Sequence, residues 1–421
     1  MSRVVRIDDT AMPDGVTRIA DQLPSPSQLV PNEEVILRFT GPFLYLTGLV
    51  LLAAWRKSLP GSIVVSIDDA STRPESQRFL TNTGFREVIQ TRTYHPSVPS
   101  RIGKVPIQAL LKGREKEATV NEIVKIFDDY AGQVKDTAPF RVLLSELCEN
   151  ALSHSELTTP AYICARVLEG INKCEIVIAD TGIGVEQSFR RGTNEAALKR
   201  IAAGESALGI ALEGLSSSKP QAAPGIFRTY YGFGLYIARR LVEENHGRLC
   251  LMSGSEMITV ERFTKKSRRL ESPWQGTFVG VVLDLNYPLP LENVYAEAAA
   301  MVAPEPKSKP GQPPPVVSPP AKPESTVALA LSNYGTQLLT RELGTAIRAD
   351  LASHLAAGRT VLVQLDGIED ITPSCVDDAF GKLSEMIGAE VFASRVKFEG
   401  GQPVVKTLIE FVLKTRQRQL G

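Results

Sequence analysis

The sequence predicts an α/β protein of several domains, and three observations carry that expectation. At 421 residues the chain exceeds one ordinary domain, and 43% hydrophobic content can supply more than one packed core. Short alternating apolar runs, the mark of half-buried strands, are interleaved with segments whose apolar residues recur at three-and-four spacing, the mark of helices. From Pro304 to Ser325, "PEPKSKPGQPPPVVSPPAKPES" is so rich in proline that a polyproline II spacer is favoured over a packed element. A softer boundary lies in "KVPIQALLKGREKEATVNEIV", Lys104 to Val124, where a charged stretch leads into a new amphipathic pattern. The expected divisions are 1–103, 104–300, a linker at 301–325, and 326–421.

The first division reads as a small βαβα unit: strand "EEVILRFTG", helix "LTGLVLLAAWRKSLPG", strand "SIVVSIDDA", helix "PESQRFLTNTGF". Its run "FLYLTGLVLLAAW", Phe43 to Trp55, falls short of the ~20 residues that span a bilayer and is read as a buried helix. In the middle division, Phe140, Leu143, Leu144, Leu147, Cys148, Ala151 and Leu152 make the apolar face of a helix. Glu146, Asn150 and His154 stack four apart along another side of it. "AYICARVLEGINKCEIVIADTGIGVE" then gives two alternating runs joined by "EGIN", a hairpin whose second strand runs into "DTGIG". An aspartate ending an apolar strand can accept a hydrogen bond from a base's exocyclic amine, and the glycines let backbone approach a ligand closely. "YYGFGLYIARRLVEENHG" sets Gly232 and Gly234 before a helix whose first amides can face phosphate, and "GTFVGVVLDL", Gly276 to Leu285, follows as an alternating strand. In the last division, "STVALAL", a helix through "TRELGTAIRADLASHLAAG", "RTVLVQLDGIEDITPSCVDDAFGKLSEMIG" and "VVKTLIEFVLKTRQRQLG" again alternate strand and helix.

Composition excludes several classes. Lys+Arg and Asp+Glu both number 47, so nothing global points to nucleic acid or an anionic membrane. Five cysteines without C-x-x-C spacing imply buried thiols in a reducing compartment and no zinc site. The N-terminus lacks an apolar signal core, so a cytoplasmic location is expected.

Taken in order, "ELCENALSHS", "DTGIG", "GFGLYIARRLV" and "GTFVGVVL" resemble the N, G1, G2 and G3 boxes of the GHKL ATP-binding fold shared by gyrase, Hsp90, MutL and histidine kinases, over roughly Asn121 to Asn286. The resemblance implies a Bergerat-type α/β sandwich with a mixed sheet, binding ATP and Mg2+. It puts Asn150 at the magnesium ion and Glu146 where the ATPase members and the anti-sigma serine kinases keep their general base; His154 supports the nucleotide site. Asp180 would bind adenine N6 directly or through water, with Gly182 and Gly184 lining the base and lid hinge. Gly232, Gly234 and Leu235 would approach the phosphates, and Thr277 would close the adenine side. An ATP lid is expected between Val185 and Tyr231, where Arg190, Arg191, Lys219 and Arg228 are cations within reach of phosphate.

The first division also looks like a STAS domain, with Thr47 and Gly48 at the helix start where anti-anti-sigma factors carry their phosphoacceptor. The last resembles a STAS-like domain of unknown function often joined to such ATPases, its best match being "LDGIEDITPSCVDD". Ser374 lies where an acceptor would lie, although Thr372 or Ser374 also suits a helix N-cap. The lid resembles the anti-sigma and histidine-kinase branch. None of the four histidines, His95, His154, His246 and His354, sits in an H-E-x-x-x-P context, which disfavours a sensor histidine kinase. The expected function is that of an anti-sigma-type serine/threonine kinase or a nucleotide-gated partner switch acting through STAS-like domains. The alternative is an ATP-gated switch with slow ATPase activity and no protein phosphorylation. A STAS-type or sigma-factor-like protein is the expected partner, and a homodimer the expected assembly.

Overall fold

Alternate residues Val5 and Ile7 of β1 (Ser2–Ile7), Val35, Leu37 and Phe39 of β2 (Glu34–Phe39), and Val65 of β3 (Val64–Asp68) are buried, as the period of two requires. The computed structural model describes residues 2–100, 103–111, 114–130, 137–154, 160–192, 194–214, 234–262, 264–301 and 325–419. The three strands pair in parallel in the order β1-β2-β3, with α1 (Asp14–Gln22) and α2 (Leu46–Ser58) as the crossovers and α3 (Pro74–Asn82) and α4 (Phe85–Thr91) following. β1 and α1 extend the βαβα reading at its front; short and interrupted by arginines, β1 gives a weak signal.

Every residue of α2 from Leu46 to Arg56 is buried. A helix apolar all round needs cover on all sides, and the far side is supplied by a second sheet. That sheet is built from β4 (Lys104–Leu110), β5 (Ala161–Leu168), β6 (Lys173–Ala179), β7 (Arg248–Glu261) and β8 (Thr264–Asp284), in the order β4-β5-β6-β8-β7 with each neighbouring pair antiparallel. One apolar cluster runs from Leu37 and Phe39 through Leu49 and Leu52 to Ala109, Tyr162, Cys164, Val177 and Phe278. The 1–103 segment thus shares its core with one face of the five-stranded sheet, each buried Leu or Phe contributing roughly 1.5–3 kcal/mol. The other face carries α5 (Arg114–Tyr130), α6 (Ala138–His154) and, beyond α7 (Gly184–Arg191), α8 (Glu195–Ala202) and α9 (Ala207–Ala211), helix α10 (Gly234–Glu244).

The strand expected to open at Gly276 begins twelve residues earlier, at Thr264, because β7 and β8 extend as a long hairpin. Bulges at Gly254, which has φ +57°, bend it back: Arg248 pairs with Glu261 at 3.0 Å, and Cys250 Sγ meets Thr259 Oγ1 at 3.5 Å. The extension is tied to α1, where Asp21 Oδ1 accepts from the Glu271 and Ser272 amides and Arg268 pairs with Asp14.

From Pro290 onward the chain forms a second unit. It contains α11 (Leu291–Met301), β9 (Thr326–Ala330), β10 (Gln337–Leu338), α12 (Arg341–Ala356), β11 (Thr360–Gln364), β12 (Asp370–Ile371), α13 (Pro373–Val376), a π-helical turn at Asp377–Gly381, α14 (Lys382–Ile387), α15 (Ala389–Arg395), β13 (Val396–Glu399) and α16 (Pro403–Gln419). Strands β13-β11-β9 form a parallel sheet, and β10 pairs with β12. Buried Asp378 is surrounded by Arg341, Arg348 and Lys382. Helix α11, although it precedes the proline-rich segment, packs on α16, with Tyr295 and Phe411 stacked at 6.4 Å. Residues 302–324 lie outside the described residues.

All five cysteines are buried free thiols, and burial pushes those of Cys148, Cys164 and Cys174 up to about 12. Among the described residues no helix is long and apolar enough to cross a membrane.

Candidate functional site

Helix α6 presents Glu146 and Asn150 one turn apart, as their spacing requires, and the start of α10 comes against them. A Cβ at Gly234 would lie 2.7 Å from Glu146 Oε2 and 3.2 Å from Asn150 Nδ2, so a larger residue there would push the Glu146 and Asn150 side chains aside. Asn150 Nδ2 is buried without a hydrogen-bond partner among the described residues. An unmatched amide beside a carboxylate, facing the amino end of an eleven-residue helix, has the chemistry to meet phosphate oxygens and a hard cation. Leu235 packs with Phe189, Ala197, Ile210 and Ala211 of α7, α8 and α9, which joins those helices to α10.

At the carboxyl end of β6, Asp180 is 3% exposed. Burial raises its pKa from 3.8 to about 7, with the backbone of Gly182 and Thr277 pulling the other way. Oδ1 accepts from the Gly182 amide at 2.8 Å, and the Asp180 amide donates to Thr277 O at 2.8 Å. Gly276, at φ +100°, passes so close that a Cβ would sit 2.2 Å from Asp180 O. Gly184 turns the chain into α7 at φ +74°, with Ser253 Oγ 2.6 Å from where its Cβ would be.

Ser253 is a member of this site that the sequence reading missed. Its hydroxyl donates to Gly276 O at 2.6 Å and accepts from the Val185 amide at 3.0 Å, so one side chain on β7 clips the start of α7 to β8. A serine closing the apolar run Leu249–Met252 was the available signal; the partners, 68 and 23 residues away, were not.

The family described as histidine kinase-, DNA gyrase B- and HSP90-like ATPases matches residues 135–286, and a STAS-like domain of unknown function matches residues 344–406. The chain carries a GHKL ATPase domain joined to a STAS-like domain. No curated protein matches it. A GHKL ATPase domain binds ATP, usually with Mg2+, and the Glu146–Asn150 pair, Gly234 and Asp180 all fall within its matched segment.

Gly232, Lys219 and Arg228 lie outside the described residues, as does the side chain of His154, whose backbone ends α6. Of the lid cations, Arg190 is paired with Glu186 in the same helix. The helical piece read in the lid is α8, capped by Asn194 Oδ1 on the Ala197 amide. Thr47 is 0% exposed and its hydroxyl donates to Thr10 O, so in this arrangement it offers no oxygen to a phosphoryl donor. Thr372 is the N-cap of α13, accepting from the Cys375 amide, and half-buried Ser374 hydrogen-bonds Thr372 Oγ1 at 3.0 Å.

Proposed function

We propose that the GHKL-type site works as an ATP-driven partner switch, with the STAS-like domain as the element it presents or modifies. The observation that carries this reading is the Glu146–Asn150–Gly234 cluster, where a carboxylate, an unmatched amide and the glycine that begins α10 meet at one point. The Asp180 carboxylate accepts from the adenine amine, and the amides at the start of α10 hold the phosphates. Asn150 Oδ1 would hold a magnesium ion, which when bound supplies neutralisation of phosphate charge. The Glu146 carboxylate takes the proton of the attacking hydroxyl, whether water or a protein side chain.

The nature of that hydroxyl separates a serine/threonine kinase from an ATPase. Burial of Thr47 leaves Ser374, on the STAS-like domain, as the acceptor the reading favours within the chain, alongside a STAS-type partner. Incubation of the full chain with γ-labelled ATP and magnesium, followed by phosphosite mapping and measurement of free phosphate, tests it. Label on Ser374 or on an added STAS-type protein, abolished in Glu146→Ala, is the expected result; free phosphate without phosphoprotein makes the chain an ATPase switch, and acid-labile label makes it a histidine kinase.

A further inference from the structure

At the end of the sheet away from Asp180, a cleft of about 460 Å³ is lined by Lys173, His246, Glu261, Arg262, Lys266 and Asp284, with Tyr287 beside His246. Lys173 and Asp180 bracket β6, seven residues or about 24 Å apart, so the cleft is separate from the nucleotide site. We propose that this cleft is a binding site for a small phosphorylated sugar or polyol.

Three features point to that chemistry. Lys173, Arg262 and Lys266 have no carboxylate partner among the described residues, and they converge on one concavity because the β7–β8 hairpin folds back toward the start of β6. Three cations facing a shared volume repel one another unless an anion joins them, and phosphate is the compact multivalent anion that lysine and arginine bind best. Two carboxylates in the same cleft each keep one oxygen free. Glu261 Oε1 accepts from Arg248, and Asp284 Oδ1 accepts from the amide and side chain of Asn286, while Glu261 Oε2 and Asp284 Oδ2 have no partner among the described residues. Bare phosphate would be repelled by them, whereas ligand hydroxyls would donate to them. The rings of His246 and Tyr287 lie 4.3 Å apart and form an exposed aromatic wall against which the C–H face of a sugar ring can lie.

The walls are built before any ligand arrives. Buried Asn245 donates to Asp284 O at 3.0 Å and Tyr287 O at 2.8 Å and accepts from the Asp284 amide at 2.8 Å, which locks the turn carrying Asp284 and Tyr287. His246 and Arg262 hold left-handed backbone, φ +58° and +51°, and Asn172 beside Lys173 does so at +49°. Non-glycine residues in that region are uncommon and cluster where side-chain direction matters.

The four histidines of the chain make the test local. Imidazole NMR signals of the full protein, with His246 assigned from His246→Asn, are followed at constant pH and without magnesium during titration with glucose 6-phosphate, glucose and inorganic pyrophosphate. Glucose 6-phosphate is expected to shift His246 saturably with a dissociation constant below about 1 mM. Pyrophosphate should bind more weakly there and glucose not at all. Lys173→Gln with Lys266→Gln should weaken the sugar phosphate about tenfold per lysine. Absence of a saturable His246 shift, a shift unchanged in the double variant, or a shift confined to His154 at the nucleotide site overturns the proposal. ATP binding measured on the same double variant should be unchanged, and its outcome bears separately on the nucleotide site.

Discussion

Asp180→Asn should stabilise the free protein while weakening its grip on nucleotide. The carboxyl is 3% exposed and no cation lies within ion-pair distance among the described residues; its pKa is about 7 against an ordinary 3.8. Because the folded pKa is the higher one, this group's contribution to stability is fully present below pH 3.8 and is lost as the pH rises through 7. About three pH units at about 1.4 kcal/mol each put the cost of the ionised form at roughly 4 kcal/mol by pH 8, against roughly 1.6 kcal/mol at pH 5. Asparagine has the same shape, keeps an oxygen for the Gly182 amide and carries no charge. The stability gap between variant and wild type should therefore widen by about 2–3 kcal/mol from pH 5 to pH 8. Urea unfolding followed by tryptophan fluorescence reads it directly, since Trp55 and Trp274 are both buried in the first unit. Calorimetric titration with ATP should show a loss of about 1–3 kcal/mol in the variant, whose amide meets the adenine amine donor to donor. In the wild type, affinity should fall about tenfold per pH unit below 7, because the acceptor must be ionised, and the variant should lack that slope. A stability gap identical at both pH values, or a variant less stable at pH 8, would refute the reasoning.

Glu146→Ala should keep most ATP affinity yet lose turnover by about 100-fold, whereas Asn150→Ala should lose magnesium-dependent binding; equal losses of binding in both would reduce the stripe on α6 to packing. Ser253→Ala strips partners from the Val185 amide and Gly276 O and should weaken ATP about tenfold; unchanged affinity by calorimetry would remove the clip. A fragment beginning at Pro290 should unfold at higher urea than one beginning at Ser325, since the shorter piece uncovers Phe411 where Tyr295 stacks; equal midpoints would make α11 dispensable.

The sequence by itself determined the local pieces. The largely apolar run at Leu46 to Ala54 had to be a buried helix, the four-residue spacing had to align Glu146 with Asn150, and Asp180 had to end an apolar strand before a glycine turn. Periodicity and close-approach glycines are properties of neighbouring residues, so they are written in order along the chain. What covers the far side of α2 was decided only by tertiary structure, because Leu49 and Tyr162 lie 113 residues apart in one cluster. The same holds for Ser253 between Val185 and Gly276, and for α11, which crosses the proline-rich segment in sequence to pack on α16. Apolar surface is satisfied by any apolar surface, and a hydroxyl by any nearby amide or carbonyl, so the choice of partner is made by the folded chain as a whole, which must bury its apolar faces and pair its buried polar groups together.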